Sequence, residues 1–328
     1  MSQRLVNAWY EGHVLLWLLW PLSMLYGLVA GVRRFIYRTG LRTSKKFPVP
    51  VIVVGNITVG GTGKTPLILA LIDYLRAQGY RPGVVSRGYG GKTLYPSLLD
   101  GNSTAAMVGD EPLAIFQRTG APVVVDPARV RAVSTLLKHT DCNVVLSDDG
   151  LQHYALHRDI EIAVLDGARG LGNRLLLPAG PLRERPRRLD TVDFIVVNGD
   201  GPFVPGEFRM RLQHQAWHQL NDSGSGAPPI GSRIHAVAGI GNPQRFFSQL
   251  QYQGYDVIPH AFADHHVYKQ EDLQFSEALP VVMTEKDAVK CTGFSVENGW
   301  YVPVQAELPP AFLEGVLQRL HQSEKSHA

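Results

Sequence analysis

The feature that most constrains the fold of this chain is an apolar run followed by a glycine-rich loop and a helical pattern. The run, VIVVG, covers residues 51–55, and three glycines lie in the loop after it. A helical pattern follows over residues 66–78, with Pro66 suited to its first turn and Gly79 suited to its C-terminal cap. A buried strand, a glycine turn and a helix in this order predict a βα unit of a parallel sheet.

Five later runs share this Val- and Ile-rich composition and lack strict alternation, which is typical of strands buried on both faces. A second helical pattern covers residues 127–139. The repeated alternation predicts an α/β fold, a mostly parallel sheet with helices on both faces. The five runs are PGVVSRG, APVVVD, NVVLSDD, IEIAVLDG and VDFIVVNG.

A change of composition divides the chain into two α/β parts. Residues 221–232, NDSGSGAPPIGS, have the composition of a linker. Beyond them the α/β pattern restarts with RIHAVAGIG, a helix through NPQRFFSQLQYQG, and strands at YDVIPHAF and LPVVMTEKD. We therefore predict an N-terminal segment over 1–46, a first domain over 47–220, a linker over 221–232 and a smaller C-terminal α/β lobe over 233–328.

The N-terminal segment contains 19 residues without charge, 14–32, which is long enough to cross a bilayer as a helix. A basic flank without acidic residues follows and, by the positive-inside rule, predicts that the rest of the chain lies in the cytoplasm. The flank comprises Arg33, Arg34, Arg38, Arg42, Lys45 and Lys46. We predict membrane attachment. A spanning helix and, because of Pro21, a kinked helix in the interface both remain open, and a buried core helix is a further alternative.

Composition excludes several classes of protein. Of the 328 residues, 45% are apolar and 19% are charged, as expected of a folded chain with room for two domains. The net charge of +3 does not by itself indicate a nucleic-acid partner. Cys142 and Cys291 are the two cysteines, so a disulfide framework is not expected and a reducing compartment fits best. No C-x-x-C motif or His/Cys cluster indicates structural zinc.

The glycine-rich loop has the features of a phosphate-binding loop, or P-loop. Such a loop needs inward-facing N–H groups, glycines that allow tight curvature, and a helix N-terminus behind it. The usual pattern, G-x-x-x-x-G-K-[ST], expects glycine at Thr58, but GGTGKT matches a denser glycine variant of nucleotide-driven ATPases. A glycine turn without a ligand is the alternative. The predicted ATP-binding residues are Gly60, Gly61, Thr62, Gly63, Lys64 and Thr65.

A P-loop normally works with Mg²⁺ and with an acidic residue at the end of a neighbouring strand. Asp148 and Asp149 follow the strand VVLS and are placed for this role, together with the Thr65 hydroxyl. A solvated turn is the alternative for the two aspartates. Asp126 competes for the same role, but Pro127 and a helical pattern follow it, which also suits a helix N-cap.

Three loops carry further charged residues that suit a phosphate-transfer site. Arg87 lies in SRGYGG, and Asp110 and Glu111 lie in VGDEP before a helical pattern, where helix capping is the alternative. The run LPAGPLRERPRR suits an anionic substrate or lipid headgroups, with a solvated charge run as the alternative. Its charged residues are Arg183, Glu184, Arg185, Arg187 and Arg188.

FADHHVY contains Asp264, His265 and His266, a candidate acid/base or electrostatic group. Adjacent histidines point in different directions, so we expect only one of them to act. Their spacing does not indicate a metal site.

Taken together, these motifs resemble one family, the tetraacyldisaccharide 4′-kinases (lipid A 4′-kinases) of Gram-negative bacteria. The resemblance covers nearly the whole chain. It rests on GNITVGGTGKTP, VVSRGYGG, GDEP, DDGLQHY, LPAGPLRER, AGIGNP and VMTEKDAVKC, in that order. The family implies transfer of the ATP γ-phosphate to the 4′-hydroxyl of a tetraacylated glucosamine disaccharide 1-phosphate. It also implies Mg²⁺ and a site at the cytoplasmic face of the inner membrane.

The resemblance implies a role for particular residues. Asp110 would be the catalytic base, assisted by His265, the first histidine of its pair. Lys64 and Thr65 would hold the nucleotide and Mg²⁺, with Asp148 and Asp149 near the metal. The resemblance and the loops above give the predicted substrate-binding residues Arg87, Glu111, His153, Arg183 and Glu184.

The expected partners are the lipid-linked disaccharide and inner-membrane lipids. We expect no nucleic acid and no obligate protein partner. Two other functions share the P-loop. One is a membrane-tethered nucleotide switch or ATPase that phosphorylates nothing, and the other is a small-molecule kinase with a soluble acceptor. The first would not need Asp110 or an Asp–His pair, and the uncharged segment argues against the second.

Overall fold

The computed structural model describes residues 3–201, 206–220 and 226–327. The described helices include two short ones of a single turn and a long C-terminal one. They are α1 Gln3–Glu11, α2 Trp20–Arg38, α3 Lys64–Ala77, α4 Ala105–Val108, α5 Asp110–Thr119, α6 Arg129–His139, α7 Pro243–Tyr252, α8 Glu285–Ala288 and α9 Pro310–His327.

The described strands form two sheets. They are β1 Val51–Gly55, β2 Pro82–Ser86, β3 Ser97–Leu98, β4 Val123–Val125, β5 Val144–Asp148, β6 Ile160–Asp166, β7 Phe194–Asn198, β8 Glu207–His214, β9 His218–Gln219, β10 Arg233–Ala238, β11 Asp256–Ala261, β12 Val281–Thr284, β13 Gly299–Val302 and β14 Val304–Glu307.

The first sheet has the order β14-β8-β7-β6-β1-β5-β2-β4-β3. β1 lies at its centre, parallel to β5 and β6, whereas the edge strands β3 and β14 are antiparallel. Apolar side chains of α3, such as Leu71, pack on one face, and those of α6, such as Leu136, pack on the other. The predicted mostly parallel sheet with helices on both faces is confirmed, and β1 and α3 form the predicted βα unit.

The second sheet, of order β11-β10-β12-β13-β9, forms the C-terminal lobe. Its inner strands are parallel, and α7 packs on it through Phe246, Phe247 and Leu250. The strands predicted from RIHAVAGIG, YDVIPHAF and LPVVMTEKD are therefore present, as is the helix between the first two. β9 and β13 were not predicted.

The sheets correct the predicted domain boundaries in two places. β9, inside the predicted first domain 47–220, pairs with β13 of the second sheet. β14 and α9, inside the predicted lobe 233–328, return to the first sheet, where β14 pairs with β8 and Phe312 of α9 is fully buried. The physical reason is that β14 covers the backbone edge of β8, which would otherwise stay unpaired.

The predicted linker 221–232 lies partly outside the described residues, because 221–225 are not described. Its remaining part lies against the C-terminal lobe: the Tyr255 hydroxyl donates to the Pro228 carbonyl at 3.0 Å, and the Gly231 amide donates to the Gly254 carbonyl at 3.1 Å. The chain crosses between the lobes twice, between β8 and β9 and between β13 and β14.

The apolar N-terminal segment folds as a 3₁₀ helix, Val14–Leu19, followed by α2, so Pro21 lies in the first turn of α2 and not at a mid-helix kink. Leu16–Arg38 is long and apolar enough to cross a membrane, with a mean hydropathy of 1.3. Only 11% of the most apolar 18-residue part of this stretch is buried, so the alternative of a buried core helix is wrong.

Candidate active site

The P-loop lies at the carboxyl end of β1 and leads directly into α3. Gly63 precedes the helix with a φ of 95°, in the left-handed region that favours glycine. A Cβ atom at this position would lie 2.4 Å from Asn198 Nδ2, which itself donates to the Thr62 carbonyl at 3.1 Å. The loop therefore needs glycine for both its curvature and its packing, and the helix N-terminus behind it favours an anion.

Asp149, at the end of β5, lies beside the P-loop lysine. Its carboxylate is 3.5 Å from Lys64 Nζ and accepts a hydrogen bond of 2.8 Å from the guanidinium of Arg183. Burial alone would raise the pKa of Asp149, but Lys64 and Arg183 hold it well below its ordinary value. Asp149 therefore links Arg183 of the LPAGPLRER loop to Lys64 of the P-loop through two ion pairs.

Asp148 lies deeper in the same edge of the sheet, with 1% of its surface exposed. Its Oδ2 accepts a hydrogen bond of 2.9 Å from Ser86, at the end of β2. Its Oδ1 is buried and has no hydrogen-bond partner among the described residues. Burial, and then the negative charge of Glu111, raise the pKa of Asp148 to about 6.

The unpaired oxygen of Asp148 is a possible ligand for Mg²⁺. A buried, unpaired carboxylate oxygen is costly unless a cation or donor meets it. In the described part of the chain, no group of three or more His, Cys, Asp or Glu side chains is arranged to hold a metal ion. Mg²⁺ in kinases is usually held by one or two carboxylates and the phosphates of the substrate. The residues present therefore fit Mg²⁺ bound together with a nucleotide.

The Asp110–His265 pair joins the two lobes. His265 Nδ1 lies 3.1 Å from both carboxylate oxygens of Asp110, which begins α5. Burial alone would raise the pKa of Asp110, but the His265 hydrogen bond and Lys286 lower it to about 2. Burial opposes protonation of His265, yet the hydrogen bond to Asp110 raises its pKa above the ordinary value. The carboxylate is ionised at neutral pH and can accept a proton.

A cavity of about 210 Å³ lies between the P-loop and the C-terminal lobe. Lys64, Thr65 and Glu111 line it from the first lobe, and Phe246 of α7 and Lys286 of α8 line it from the second. The cavity thus connects the P-loop with the surroundings of the Asp110–His265 pair. It has an apolar part at Leu69 and Val302 beside its charged part, as a nucleoside triphosphate requires.

Comparison with known proteins matches nearly the whole chain to one family. Residues 15–321 match the family described as tetraacyldisaccharide-1-P 4′-kinase, LpxK. A tetraacyldisaccharide 4′-kinase from Nitrosococcus oceani is 50% identical over 99% of this chain and 96% of the relative. One from Pseudomonas fluorescens is 52% identical over 95% of this chain and 94% of the relative. The chain belongs to the tetraacyldisaccharide-1-P 4′-kinase family.

A solved structure of the family agrees with this fold. The crystal structure of LpxK from Aquifex aeolicus in complex with ATP has a TM-score of 0.80 and is 28% identical to this chain. It covers 94% of this chain and 100% of the solved one. The fold expected from the sequence is thus the kinase fold of this family.

In the structure of this protein, most of the predicted site residues lie close together. Glu111 lies 3.0 Å from Lys286 Nζ, in the lining of the cavity. Burial, and then the charge of Arg129, lower the pKa of His153 to about 4, so its imidazole is neutral at pH 7. Arg87 is exposed, and its positive charge lowers the pKa of both His153 and Arg129.

Glu184 differs from the other predicted substrate-binding residues because its carboxylate is already engaged. It is buried, accepts a hydrogen bond of 2.8 Å from Gln152 and another from the Tyr154 hydroxyl, and lies 3.6 Å from Arg188 Nε. These contacts fix the backbone next to Arg183. A direct contact of Glu184 with the substrate stays a prediction.

Two alternatives left open by the sequence are decided by the structure. Asp126 accepts a hydrogen bond of 2.8 Å from the Ala128 amide and is bound by Arg131, so its carboxylate holds the turn before α6. His266 Nε2 lies 3.0 Å from Asp272 of its own lobe and does not contact Asp110. Of the two histidines, His265 is therefore the one that contacts Asp110, and its role in catalysis stays a prediction.

Sequence reasoning missed three residues of this kinase site. Arg129 is 2% exposed and donates to the carbonyls of Asp126 and Asp148 at 2.8 and 2.9 Å, tying α6 to β5. Tyr89 packs against the His265 ring, with 5.0 Å between ring centres. Lys286 lies 3.6 Å from Asp110 Oδ2. Tyr89 and Lys286 had a usable signal, because they lie in the motifs VVSRGYGG and VMTEKDAVKC, whereas Arg129 lies in none of the motifs.

Proposed function

We propose that the protein transfers the γ-phosphate of ATP to the 4′-hydroxyl of tetraacyldisaccharide 1-phosphate in lipid A synthesis. The observation that carries this proposal is the Asp110–His265 contact of 3.1 Å, next to the cavity lined by the P-loop. A nucleotide switch or simple ATPase needs no such pair. The names of the relatives from Nitrosococcus oceani and Pseudomonas fluorescens support the choice of acceptor.

ATP is held by the P-loop in this proposal. The backbone N–H groups of residues 60–65 face its phosphates, and Lys64 neutralises the β- and γ-phosphates. The solved Aquifex aeolicus relative was crystallised in complex with ATP, which supports this assignment. The base and ribose then extend into the apolar part of the cavity, near Leu69, Phe246 and Val302.

The Thr65 hydroxyl and the unpaired oxygen of Asp148 would hold Mg²⁺ together with the phosphates. When bound, the ion neutralises charge on the β- and γ-phosphate oxygens. Asp149 stays nearby but is already bound by Lys64 and Arg183, so it orients those two cations.

In the transfer step, the oxygen of the 4′-hydroxyl attacks the γ-phosphorus. The bond between this phosphorus and the β–γ bridging oxygen breaks, and ADP leaves. The hydroxyl proton passes to Asp110, which is ionised at neutral pH, and the hydrogen bond to His265 keeps the carboxylate aimed at the acceptor. A base with a low pKa suffices because, in a loose transition state, the hydroxyl loses its proton late.

The acceptor would approach from the side of α2. On one face of this helix, Ser23 donates to the Leu176 carbonyl at 2.8 Å, and Tyr26 donates to the Arg183 carbonyl at 3.1 Å. Arg34 donates to Thr191 at 2.9 Å, so contacts with the first lobe extend along most of α2. A helix attached to the folded domain over this length fits a position along the membrane surface better than a span across it.

A groove of about 390 Å³ between α2 and the LPAGPLRER loop adds to this picture. Leu28, Gly31 and Leu176 line it with apolar surface, and Arg34 and Arg185 line it with positive charge. This combination fits an acylated, phosphorylated disaccharide at the cytoplasmic face of the inner membrane.

The decisive experiment is transfer of labelled phosphate from [γ-³²P]ATP to purified tetraacyldisaccharide 1-phosphate in detergent, analysed by thin-layer chromatography. We expect labelling of the lipid that depends on added Mg²⁺. Lys64→Ala is the control variant, and it should lose nearly all transfer while keeping the circular dichroism spectrum of the wild type, because Lys64 would contact phosphate in this proposal and is not part of the apolar core.

If the wild type hydrolyses ATP but labels no lipid disaccharide, the kinase assignment fails and a nucleotide switch takes its place. Transfer by Lys64→Ala near the wild-type rate would instead contradict the assignment of the P-loop.

A further inference from the structure

Lys286 of the C-terminal lobe has no part in the reaction described above, yet it lies among the carboxylates of the site. Its Nζ is 3.0 Å from Glu111 Oε1, 3.2 Å from Asp264 Oδ1 and 3.6 Å from Asp110 Oδ2. Two of these carboxylates belong to α5 of the first lobe, and the third belongs to the loop that carries His265. One ammonium group therefore bridges both sides of the catalytic pair.

The backbone that carries Lys286 is well anchored. Thr284 Oγ1 accepts a hydrogen bond of 3.2 Å from the Asp287 amide at the start of α8. The fully buried Asp287 carboxylate accepts a hydrogen bond of 2.9 Å from the Gly239 amide and lies 2.7 Å from Lys290 Nζ. The side chain of Lys286 therefore extends from a fixed turn of the second lobe towards α5.

The charges around Asp110 come from every element packed against it. His265 and Asp264 face it from the histidine loop, Lys286 and Lys290 face it from α8 and the residues after it, and Glu111 is its neighbour on α5. Three carboxylates this close repel one another unless a cation lies between them. Lys286 supplies this cation, and the three carboxylates raise its own pKa despite burial.

We infer that Lys286 is a positioning residue for phosphoryl transfer, which holds the Asp110 carboxylate and the loop of His265 in register across the two lobes. The expected kinetic effects rest on the proposed function, because Lys286 is inferred to hold Asp110, the proposed base, in place. The contact itself does not depend on which acceptor the enzyme uses.

Three variants of the full-length protein test the inference. Lys286→Met removes the charge at similar length, and Lys286→Arg keeps the charge. Arg118→Met is the matched control, because Arg118 forms the other ion pair between α5 and α8, 2.7 Å from Glu285 Oε2. For Lys286→Met we expect kcat to fall about 10²-fold with little change in the KM for ATP, because a small misplacement of a catalytic group has this effect. Lys286→Arg should recover most of the loss.

The pH dependence of kcat distinguishes two roles of Lys286: positioning Asp110, or only holding the two lobes together. Because Lys286 is positive, its removal raises the pKa of both Asp110 and His265. The acidic limb of the kcat profile should therefore move to higher pH in Lys286→Met and stay in place in Lys286→Arg and Arg118→Met. The titration of the His265 imidazole, followed by NMR in the absence of substrate, should show the same upward shift in Lys286→Met only.

Two results would overturn the inference. One is an equal loss of kcat in Lys286→Met and Arg118→Met with an unmoved acidic limb, which would make Lys286 an interlobe contact alone. The other is a raised KM for ATP at unchanged kcat, which would make it a nucleotide-binding residue. The NMR titration needs no lipid acceptor, so it judges the Lys286 contact even if lipid labelling fails.

Discussion

Two residues of the candidate site, Asp149 and His265, have positive φ angles of 49° and 61°. A left-handed conformation costs a residue other than glycine roughly 1–2 kcal/mol. Contacts of the side chains offset this cost, because Arg183 and Lys64 bind Asp149 and Asp110 binds His265. Strained backbone of this kind is concentrated at functional sites. The positions of both side chains are therefore set by the backbone as well as by their partners.

At the proposed catalytic pair, Asp110→Asn and His265→Gln should each lower kcat, whereas the KM for ATP should change little. Loss of a general base typically lowers the rate by about 10²–10⁴-fold. His266→Gln is the matched control, because His266 pairs with Asp272 of its own lobe, and its rate should stay near that of the wild type. Initial rates of lipid labelling at varied ATP check all three variants.

The assignment of Asp110 as the base fails if Asp110→Asn loses ATP affinity while its turnover at saturating ATP survives. The assignment of His265 as the partner of Asp110 fails if His266→Gln loses as much activity as His265→Gln.

At the scale of a single element, α2 has two different faces. Ser23 and Gly27 are buried against the first lobe, and a Cβ atom at Gly27 would lie 2.6 Å from Leu176 Cδ1. The opposite face exposes a stripe of apolar side chains at helical spacing. They are Leu22, Leu25, Leu28, Val29, Val32 and Phe35. An exposed apolar stripe of this length, flanked by arginines, is typical of a helix that lies in a membrane interface.

Charged substitutions in the α2 stripe should therefore weaken membrane binding. Leu22 and Leu25 are 54% and 59% exposed and do not line the groove beside the LPAGPLRER loop, so the double variant Leu22→Glu, Leu25→Glu should fold normally. Flotation with phosphatidylglycerol-containing vesicles should show at least about a tenfold loss of bound protein, since each buried leucine contributes about 1.5–3 kcal/mol. Ile230→Glu changes a residue beside the C-terminal lobe that is 80% exposed, and it is the control.

Equal binding of the α2 double variant and the wild type would show that this stripe does not face lipid. In that case, retained lipid kinase activity in detergent would leave the catalytic assignment intact.

At the scale of the whole molecule, the two lobes are interlaced and do not follow each other along the chain. β14 pairs with β8 across the first sheet, from His214 opposite Val304 to Arg211 opposite Glu307. Phe312 of α9 packs edge-on against Phe194 of β7, with 5.5 Å between ring centres. β14 and α9 follow the second lobe in sequence, yet they complete the core of the first lobe.

Phe312→Ala should therefore destabilise the first lobe, although the residue comes after the C-terminal lobe in sequence. Truncation of a buried phenylalanine costs about 3–5 kcal/mol. Native-state hydrogen exchange should show faster exchange in β6 and β7 and unchanged exchange in β10 and β12. Phe247→Ala, at a site only 2% exposed in the second lobe, should give the opposite pattern. Faster exchange confined to the second lobe in Phe312→Ala would contradict this division of the core.

The sequence predicted those elements whose signals are local. β1, the P-loop and α3 follow from an apolar run, glycines and a capped helical pattern within residues 51–79. β8, EFRMRLQH, was missed although its alternating polar and apolar residues are typical of a half-buried strand, because the prediction relied on continuous Val- and Ile-rich runs. Its partner β14 lies about ninety residues further along the chain, and no local pattern records a pairing at that distance.

The chemistry of the site divides in the same way. The motifs alone were enough to predict a phosphate loop, carboxylates at strand ends and the family, because these depend on residue type and spacing. Three features came from the folded structure: which of two histidines contacts Asp110, the unpaired oxygen of Asp148, and the position of Lys286 between the lobes. These depend on distances between residues far apart in sequence, and packing of the two lobes sets those distances.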